Sequence, residues 1–216
     1  MDTLAARQQM VDQQIRTWEV LDPRVLDALL EVPREAFVPD AYRDLAFADA
    51  PLPIGHGQSM LAPKIQGRIL QALGIDASDR ALEVGTGSGY LSACLSLLAG
   101  VTHSIEIHAD LTALAAANLR AVPQARVQLE TRDAFGPAPL GEYDVIALTG
   151  SMPVYDSRFE RALRPGGRLF AIVGSAPVMD AMLVRRVDYT EWIRESLFET
   201  VVDPLINATA AQGFVF

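Results

Sequence analysis

Short apolar runs alternate with longer amphipathic stretches along the chain from residue 80 onward. Runs rich in Val, Ile and Leu predict strands at 80–84, 101–107, 127–130, 143–148 and 168–173. The stretches between them predict helices at 90–98, 111–119 and 157–163. Strands that alternate with helices predict a doubly wound, mostly parallel α/β sheet with right-handed crossovers. The tail at 190–198 and 200–202 predicts antiparallel edge strands.

The first 78 residues carry a different pattern. Apolar positions recur over residues 4–32, and Asp22-Pro23 predicts the start of a second short helix. Residues 32–55 are punctuated by prolines and predict no regular element, whereas Pro63 predicts a helix over 63–73. We therefore expect one compact unit with an N-terminal helical and proline-rich cap at 1–78 and an α/β core at 79–216.

Composition and charge narrow the class of protein. Half of the 216 residues are apolar, which predicts a folded domain with a substantial core. The net charge of −9 argues against a nucleic-acid-binding surface, which needs clustered Lys and Arg. The single cysteine, Cys94, predicts a buried thiol in a reducing compartment. The N-terminal residues lack a secretory pattern and no apolar run reaches about 20 residues, so we expect a cytoplasmic protein without a membrane span.

Glycines recur in the turn that joins the strand at 80–84 to the helix at 90–98. Gly85, Gly87 and Gly89 have a Gly-x-Gly-x-Gly spacing, which allows backbone N–H groups to approach a ligand closely. Such a turn is weak support for a ligand site when it stands alone, because glycine-rich turns also join ordinary strands to helices. The residues around it decide between the two interpretations.

Carboxylates stand at the ends of three successive predicted strands. Glu83 precedes the glycine turn, Glu106 ends the second strand, and Asp133 follows the third. In a doubly wound sheet these positions meet at the ligand-binding edge, where Glu106 is placed to accept hydrogen bonds from two ribose hydroxyls and Asp133 from an adenine amino group. An acidic surround suits a cationic sulfonium better than a diphosphate. The pattern therefore predicts S-adenosylmethionine as the cofactor.

Three longer stretches match one known family in order. They read Leu-Glu-Val-Gly-Thr-Gly-Ser-Gly-Tyr at 82–90, Val-Pro-Arg-Glu-Ala-Phe-Val-Pro at 32–39 and Asp-Ala-Pro-Leu-Pro-Ile-Gly-His-Gly-Gln at 49–58. Over residues 8–175 the chain resembles the protein-L-isoaspartate O-methyltransferase family, and the Pro-Leu-Pro-Ile-Gly segment is the specific part. The resemblance implies a Rossmann-like class I methyltransferase fold. It also implies a carboxyl O-methyltransferase that uses S-adenosylmethionine to methylate isoaspartyl residues in damaged proteins.

The strand-end pattern and the resemblance together predict a set of cofactor-binding residues. They are Ser59, Gln66, Glu83, Gly85, Thr86, Gly87, Ser88, Gly89, Glu106, Ile107, Asp133 and Ala134. The family continues its proline-rich segment as Gly-Gln-Thr-Ile-Ser-x-Pro and has its active-site serine there. In this chain Ser59 falls at the threonine and Leu61 at that serine, so Ser59 and Leu61 are the predicted catalytic positions.

Leu61 changes what is expected of the reaction, because leucine has no donor for a substrate carboxylate. A carboxylate is already ionised at neutral pH and needs no general base before it attacks a sulfonium methyl. Loss of one hydroxyl contact to a charged group costs about 1.5–3 kcal/mol. Such a loss is compatible with a slower enzyme of the same specificity and equally with a changed acceptor.

Other positions also depart from the family or invite a chemical role. Trp18 is expected to be a packing anchor on the N-terminal helix, and residues 149–153 are expected to form a loop on the substrate side. His56 and His103 are expected to be structural. The sequence contains no His, Cys or Asp spacing typical of a metal site and no Ser-His-Asp arrangement, so no bound metal is expected.

Three alternatives to an isoaspartyl methyltransferase stay open on the sequence. A diverged paralogue would keep the methyltransferase scaffold and act on another peptide or on a small molecule, which Leu61 and the altered 149–153 segment would favour. A non-catalytic protein would bind S-adenosylmethionine without transferring its methyl group. An NAD-dependent oxidoreductase is disfavoured by the acidic surround of the glycine turn.

Overall fold

Helices and one short hairpin make up the N-terminal part of the structure, a computed structural model that describes residues 3–210. The helices are α1 (Thr3–Met10), α2 (Pro23–Glu31) and α3 (Pro63–Leu73), and the hairpin strands are β1 (Leu52–Gly55) and β2 (Gln58–Met60). A π-helical turn and a 3-10 turn continue α1 as far as Trp18.

The predicted helix starts in this part are confirmed. The side chain of Asp22 accepts a 2.9 Å hydrogen bond from the Arg24 N–H and caps α2, while Pro63 occupies the first position of α3. The prediction that residues 32–55 hold no regular element is wrong, because two 3-10 turns and β1 lie there. Pro53 is tolerated within β1 because both strands of a two-stranded hairpin are edges.

A seven-stranded sheet forms the core. Its strands are β3 (Arg80–Val84), β4 (Val101–Glu106), β5 (Val127–Thr131), β6 (Tyr143–Met152), β7 (Leu163–Ser175), β8 (Val178–Arg186) and β9 (Trp192–Thr200). The helices between them are α4 (Tyr90–Leu98), α5 (Ala109–Asn118) and α6 (Arg158–Arg161). The order is β5-β4-β3-β6-β7-β8-β9, with parallel pairing up to β7 and antiparallel pairing beyond it. The predicted doubly wound fold with antiparallel edge strands is confirmed.

Several predicted boundaries are wrong where pairing between distant segments sets them. Strand β6 continues to Met152, because Ser151 and Met152 still pair with β7, so most of the expected 149–153 loop is strand. The expected helix at 157–163 has only the four residues of α6, since Leu163 already pairs with Tyr143. The sequence did not predict strand β8. Of residues 200–202, which were expected to form a strand, only Thr200 lies in one, as the last residue of β9.

Two apolar clusters pack against the opposite faces of the sheet. Successive residues of β3 belong to different clusters, Ala81 to one and Leu82 to the other, as strand alternation requires. The first cluster also contains Cys94, as predicted, and burial raises the pKa of its thiol to about 12. It joins Leu29 of the N-terminal part to Phe170 of the core. No helix among the described residues has both the length and the apolar character needed to cross a bilayer.

The division of the chain at residue 78 stays a prediction. Residues 1–2 of the expected cap and 211–216 of the expected core lie outside the described residues.

Candidate active site

A cavity of about 690 Å³ lies at the carboxyl ends of β3, β4 and β6, between the core and the N-terminal part. Its volume is in the range of a site for a small molecule. All but one of the positions predicted to bind the cofactor or the substrate line it, Leu61 included. The exception is Gly89, which precedes α4 with a φ of +85°. A Cβ there would lie 3.0 Å from the Cβ of Ala115, so this glycine allows α4 and α5 to pack closely.

The glycine turn at the end of β3 leaves no room for side chains. Gly85 has a φ of +94°, and a Cβ on it would overlap the Thr149 hydroxyl. Gly87 has a φ of +54°, and a Cβ on it would lie 2.9 Å from Ile54 Cδ1 of the hairpin. The turn therefore presents its bare backbone to the cavity.

The Glu106 carboxylate is held beside that turn. Its Oε2 accepts a 2.9 Å hydrogen bond from the Gly87 N–H, and its Oε1 accepts a 3.0 Å bond from the His108 N–H. Each oxygen has further lone pairs with which to accept hydrogen bonds from a ligand. The glycine turn and the expected ribose-binding carboxylate thus form one hydrogen-bonded unit.

Asp133 lies at the other expected contact, after β5. Its Oδ1 accepts a 2.8 Å hydrogen bond from the Phe135 N–H, and its Oδ2 accepts a 2.9 Å bond from the Asn207 side chain. Asn207 belongs to the C-terminal segment, which the sequence did not connect with the site. No local pattern marks Asn207, because its contact depends on where the tail crosses the sheet edge.

Glu83 is fully buried and belongs partly to the core. Its Oε2 accepts hydrogen bonds from Ser92 on α4 and from Ser104 on β4, the latter at 2.5 Å. Its Oε1 has no partner among the described residues. Burial raises the pKa of Glu83 to about 7, against the lowering effect of the two hydroxyls. The carboxyl group thus links α4 to β4 behind the turn and leaves Oε1 without a partner among the described residues.

Arg34 lies behind the cavity wall and supports it, a role that the sequence did not predict. Its side chain has no solvent exposure and donates to the Ala46 carbonyl at 2.8 Å, to the Leu61 carbonyl at 2.9 Å and to Gln66 Oε1. A fully buried arginine must have such acceptors to be tolerated. The guanidinium orients the Gln66 amide, and the Val-Pro-Arg motif was the only sequence signal for it.

An aromatic ring and a cation lie next to each other in the lining of the cavity. Lys64 Nζ lies 4.5 Å from the centroid of the Trp18 ring and 2.7 Å from Asp49 Oδ2. Trp18 also packs edge-to-face against Phe198, with the ring centroids 6.0 Å apart. The expected packing role of Trp18 is confirmed, and its ring additionally forms part of the cavity wall.

The C-terminal segment closes one side of the cavity. Ser151 on β6 donates from its N–H to the Asp203 carbonyl at 3.0 Å, and its own carbonyl accepts from the Leu205 N–H at 2.9 Å. The Gln58 amide of the hairpin donates to the Pro204 carbonyl at 3.3 Å. Both the expected substrate side at 149–153 and the tail therefore face the cavity.

Negative charge predominates around the cavity. Among the described residues, the acidic ones that line it are Asp49, Glu83, Glu106, Asp133 and Asp203, and the Lys or Arg residues are Lys64 and Arg132. This balance is better suited to a ligand with a cationic centre than to a diphosphate.

The two histidines considered from the sequence lie in different surroundings. His103 Nδ1 lies 2.7 Å from the Tyr143 hydroxyl and its Nε2 lies 2.9 Å from Glu130, which supports the structural role expected for it. His56 lies beside the cavity rim against His108 and Asp110. Linear spacing did not connect these three residues, because the first is on the hairpin and the others begin α5.

Comparisons with known proteins agree on one family. The sequence profile described as Protein-L-isoaspartate(D-aspartate) O-methyltransferase (PCMT) matches residues 5–209. The chain is 42% identical to protein-L-isoaspartate O-methyltransferase 1 of Rhodopseudomonas palustris (strain HaA2) over 172 residues, 79% of this chain and 70% of that protein. It is 38% identical to the corresponding protein of Koribacter versatilis over 202 residues, 93% of this chain and 90% of the relative.

A solved structure has the same fold. It is that of a putative protein-L-isoaspartate O-methyltransferase from Plasmodium falciparum in complex with S-adenosyl-L-homocysteine, with a TM-score of 0.79 at 18% identity over 95% of this chain and 98% of that one. At this identity the likeness bears on the fold alone. The profile match and the sequence relatives are what decide the family, and this chain belongs to the protein-L-isoaspartate(D-aspartate) O-methyltransferase family.

Proposed function

We propose that this protein is an S-adenosylmethionine-dependent carboxyl O-methyltransferase that methylates isoaspartyl residues in damaged proteins. One structural observation supports the proposal above all. The Glu106 carboxylate, expected to hold a ribose, is hydrogen-bonded to Gly87 of the glycine turn at the wall of a cavity of about 690 Å³. Membership of the family supports the acceptor, since the relatives carry the isoaspartate methyltransferase name.

The residues of the cavity fit the cofactor. Glu106 would accept from the two ribose hydroxyls, and Asp133 would accept from the adenine amino group next to its contact with Asn207. The acidic lining suits a ligand with cationic sulfonium and ammonium centres. When bound there, S-adenosylmethionine supplies an electrophilic methyl group.

The protein has little proton chemistry to perform on a carboxylate acceptor. An isoaspartyl carboxylate is ionised at neutral pH, so no general base is needed. The work of the site is then orientation, proximity and exclusion of water. In this proposal Lys64 attracts the acceptor carboxylate, because its ammonium group lines the cavity, although Asp49 already neutralises part of its charge.

Ser59 and Leu61 are assigned to the acceptor side of the same site. Ser59 lines the cavity from β2 and is the hydroxyl nearest in sequence to position 61. Leu61 presents a largely buried apolar side chain, 7% exposed, while its carbonyl is occupied by Arg34. In this proposal Leu61 shapes the wall against which the acceptor lies, and backbone N–H groups hold the carboxylate.

The finer expectations about partners and location follow from this activity. The substrate is a peptide or protein segment that contains isoaspartate, and residues 1–78 act as a cap that supplies one wall of its site. The buried Cys94 is consistent with work in the reducing cytoplasm.

The test is a methyl-transfer assay on a matched pair of peptides. One peptide contains a single isoaspartyl residue, and the other has the same sequence with ordinary aspartate. With radiolabelled S-adenosylmethionine we expect base-labile methyl transfer, measured as released methanol, to the isoaspartyl peptide only. Transfer to neither peptide, or to both at equal rates, would refute the proposed acceptor. Calorimetry with S-adenosylhomocysteine tests the cofactor site separately.

A further inference from the structure

Two of the chain's three histidines contact each other at the edge of the cavity. The rings of His56 and His108 are stacked, with centroids 3.8 Å apart and an angle of 9° between their planes. His56 Nε2 lies 2.8 Å from Asp110 Oδ2, a residue 54 positions away in the sequence. One potential ligand atom from each of the three residues lies within 4.8 Å of the other two.

The backbone holds these three side chains from two separate segments. His56 lies in the turn between β1 and β2 with a φ of +54°, between two glycines that also have positive φ. His108 immediately precedes α5, and its N–H donates to Glu106 Oε1. Asp110 lies in the first turn of the same helix. The cluster therefore joins the hairpin to the core next to the glycine turn.

One buried nitrogen of the cluster, His108 Nε2, makes no hydrogen bond within the part of the chain that the structure describes. His108 also lines the cavity. A buried polar atom normally has a hydrogen-bond partner, so His108 Nε2 is available to coordinate an ion. Imidazole nitrogens and a carboxylate oxygen are ligands that Zn²⁺ accepts, and three protein ligands leave the fourth position open.

We propose that His56, His108 and Asp110 form a binding site for a divalent transition-metal cation, with Zn²⁺ as the ion of choice, at the rim of the cavity. The ion links the β1–β2 hairpin to the start of α5. Zn–N bonds of about 2.0–2.1 Å require the ligand atoms to come within about 3.5 Å of one another. The His56 and His108 rings are stacked in the ligand-free protein, so their in-plane nitrogen lone pairs do not converge on one point. Binding therefore requires the exposed side chains of His56 and Asp110 to rotate until their ligand atoms face the same ion as His108. The site does not depend on methyl transfer.

The experiment measures metal binding by the full-length protein without cofactor or substrate. After chelation and dialysis, the protein is titrated with Zn²⁺ by calorimetry and with Co²⁺ by visible absorption, which reports imidazole coordination. We expect one ion per chain at micromolar affinity or tighter. His56→Ala and Asp110→Asn should each weaken binding at least about tenfold, because the first removes an imidazole ligand and the second replaces a carboxylate with a neutral amide.

His103→Gln is the matched control, because His103 pairs with Tyr143 and Glu130 and is not part of the cluster. It should bind Zn²⁺ as the unaltered protein does. His56→Ala and Asp110→Asn both alter exposed side chains, so the loss of binding can be interpreted without a change in the core. Absence of saturable binding, or equal affinity in the His56→Ala variant, would overturn the site. The peptide assay is independent of this outcome, so failure of one proposal is distinguishable from failure of the other.

Discussion

The buried guanidinium of Arg34 donates a 2.9 Å hydrogen bond to the carbonyl of Leu61, the residue at the proposed acceptor position. The same side chain donates to Gln66 on α3 and to the Ala46 carbonyl. One arginine therefore ties the segment at Ala46 to the part of the cavity wall formed by Leu61 and Gln66. Because its charge is buried, its contribution depends on all three acceptors being in place.

Arg34→Met should lower the free energy of unfolding by about 3 kcal/mol or more, since it leaves buried carbonyls without a donor. Urea unfolding followed by circular dichroism measures this loss. Arg43→Met is the control, because Arg43 pairs with Asp40 on the surface and such a pair contributes about 0–1 kcal/mol. Equal losses of unfolding free energy in the two variants would show that the buried contacts of Arg34 stabilise the protein no more than a surface ion pair does.

Leu61→Ser should raise kcat/KM on the isoaspartyl peptide by about ten- to a hundredfold over Leu61→Ala, the energy of one hydrogen bond to a charged group. Both variants remove the same buried apolar side chain, so both should lose about 2–5 kcal/mol of stability. Because both variants leave a similar empty space at position 61, the difference between their kcat/KM values reports the effect of the hydroxyl alone. Identical kcat/KM values would mean that position 61 does not contact the acceptor.

Gly85→Ala should prevent the binding of S-adenosylhomocysteine, because a Cβ there overlaps the Thr149 hydroxyl in addition to requiring a positive φ. Gly166→Ala carries the φ cost alone, since Gly166 has a φ of +82° and a Cβ on it would have no neighbouring atom within 4 Å. We expect Gly166→Ala to lose about 1–2 kcal/mol of stability and to keep its affinity. Calorimetry on both variants measures the difference, and unimpaired binding by Gly85→Ala would contradict the close approach at the turn.

Glu106→Gln should weaken the binding of S-adenosylhomocysteine by about ten- to a hundredfold, because a neutral amide accepts hydrogen bonds less strongly than a carboxylate and has one acceptor oxygen instead of two. Calorimetry at constant pH and salt gives the ratio. Glu31→Gln removes an equal charge from the surface, where Glu31 accepts a hydrogen bond from the Gln124 amide, and should leave the affinity unchanged. A similar affinity in both variants would show that Glu106 does not bind the ribose hydroxyls.

Glu83 should make the stability of the ligand-free protein depend on pH between its unfolded and folded pKa values. Burial raises its pKa from 4.5 to about 7, so the folded state binds more protons than the unfolded state in this interval. Its contribution is complete below pH 4.5 and is lost as pH rises through 7, on the order of 3 kcal/mol in total.

Urea unfolding of the Glu83→Gln variant at pH 5 and pH 8 tests this assignment. The loss of stability between the two pH values should be smaller in Glu83→Gln than in the unaltered protein, while Glu31→Gln should retain it in full. An unchanged loss in Glu83→Gln would assign the titration to another group.

The sequence by itself determined the elements whose signals are local. The bounds of α3 and α4 and the range of β3 agree with those predicted, because a proline at the first turn, a glycine turn and a short apolar run act within a few residues. The same local signals placed Glu106 and Asp133 at strand ends. Since parallel strands align their carboxyl ends, these residues had to meet at one edge of the sheet.

Only the tertiary structure decided the features that depend on contact between distant segments. The length of β6 follows from its pairing with β7. Strand β8 forms because it pairs with β7, and the partial alternation of its buried and exposed side chains follows from that pairing. Asn207 reaches Asp133 because the tail crosses the sheet edge, and His56 reaches His108 because the hairpin folds onto α5. Side-chain contacts of this kind depend on packing in three dimensions. Local propensity and spacing along the chain carry no information about which distant segments meet.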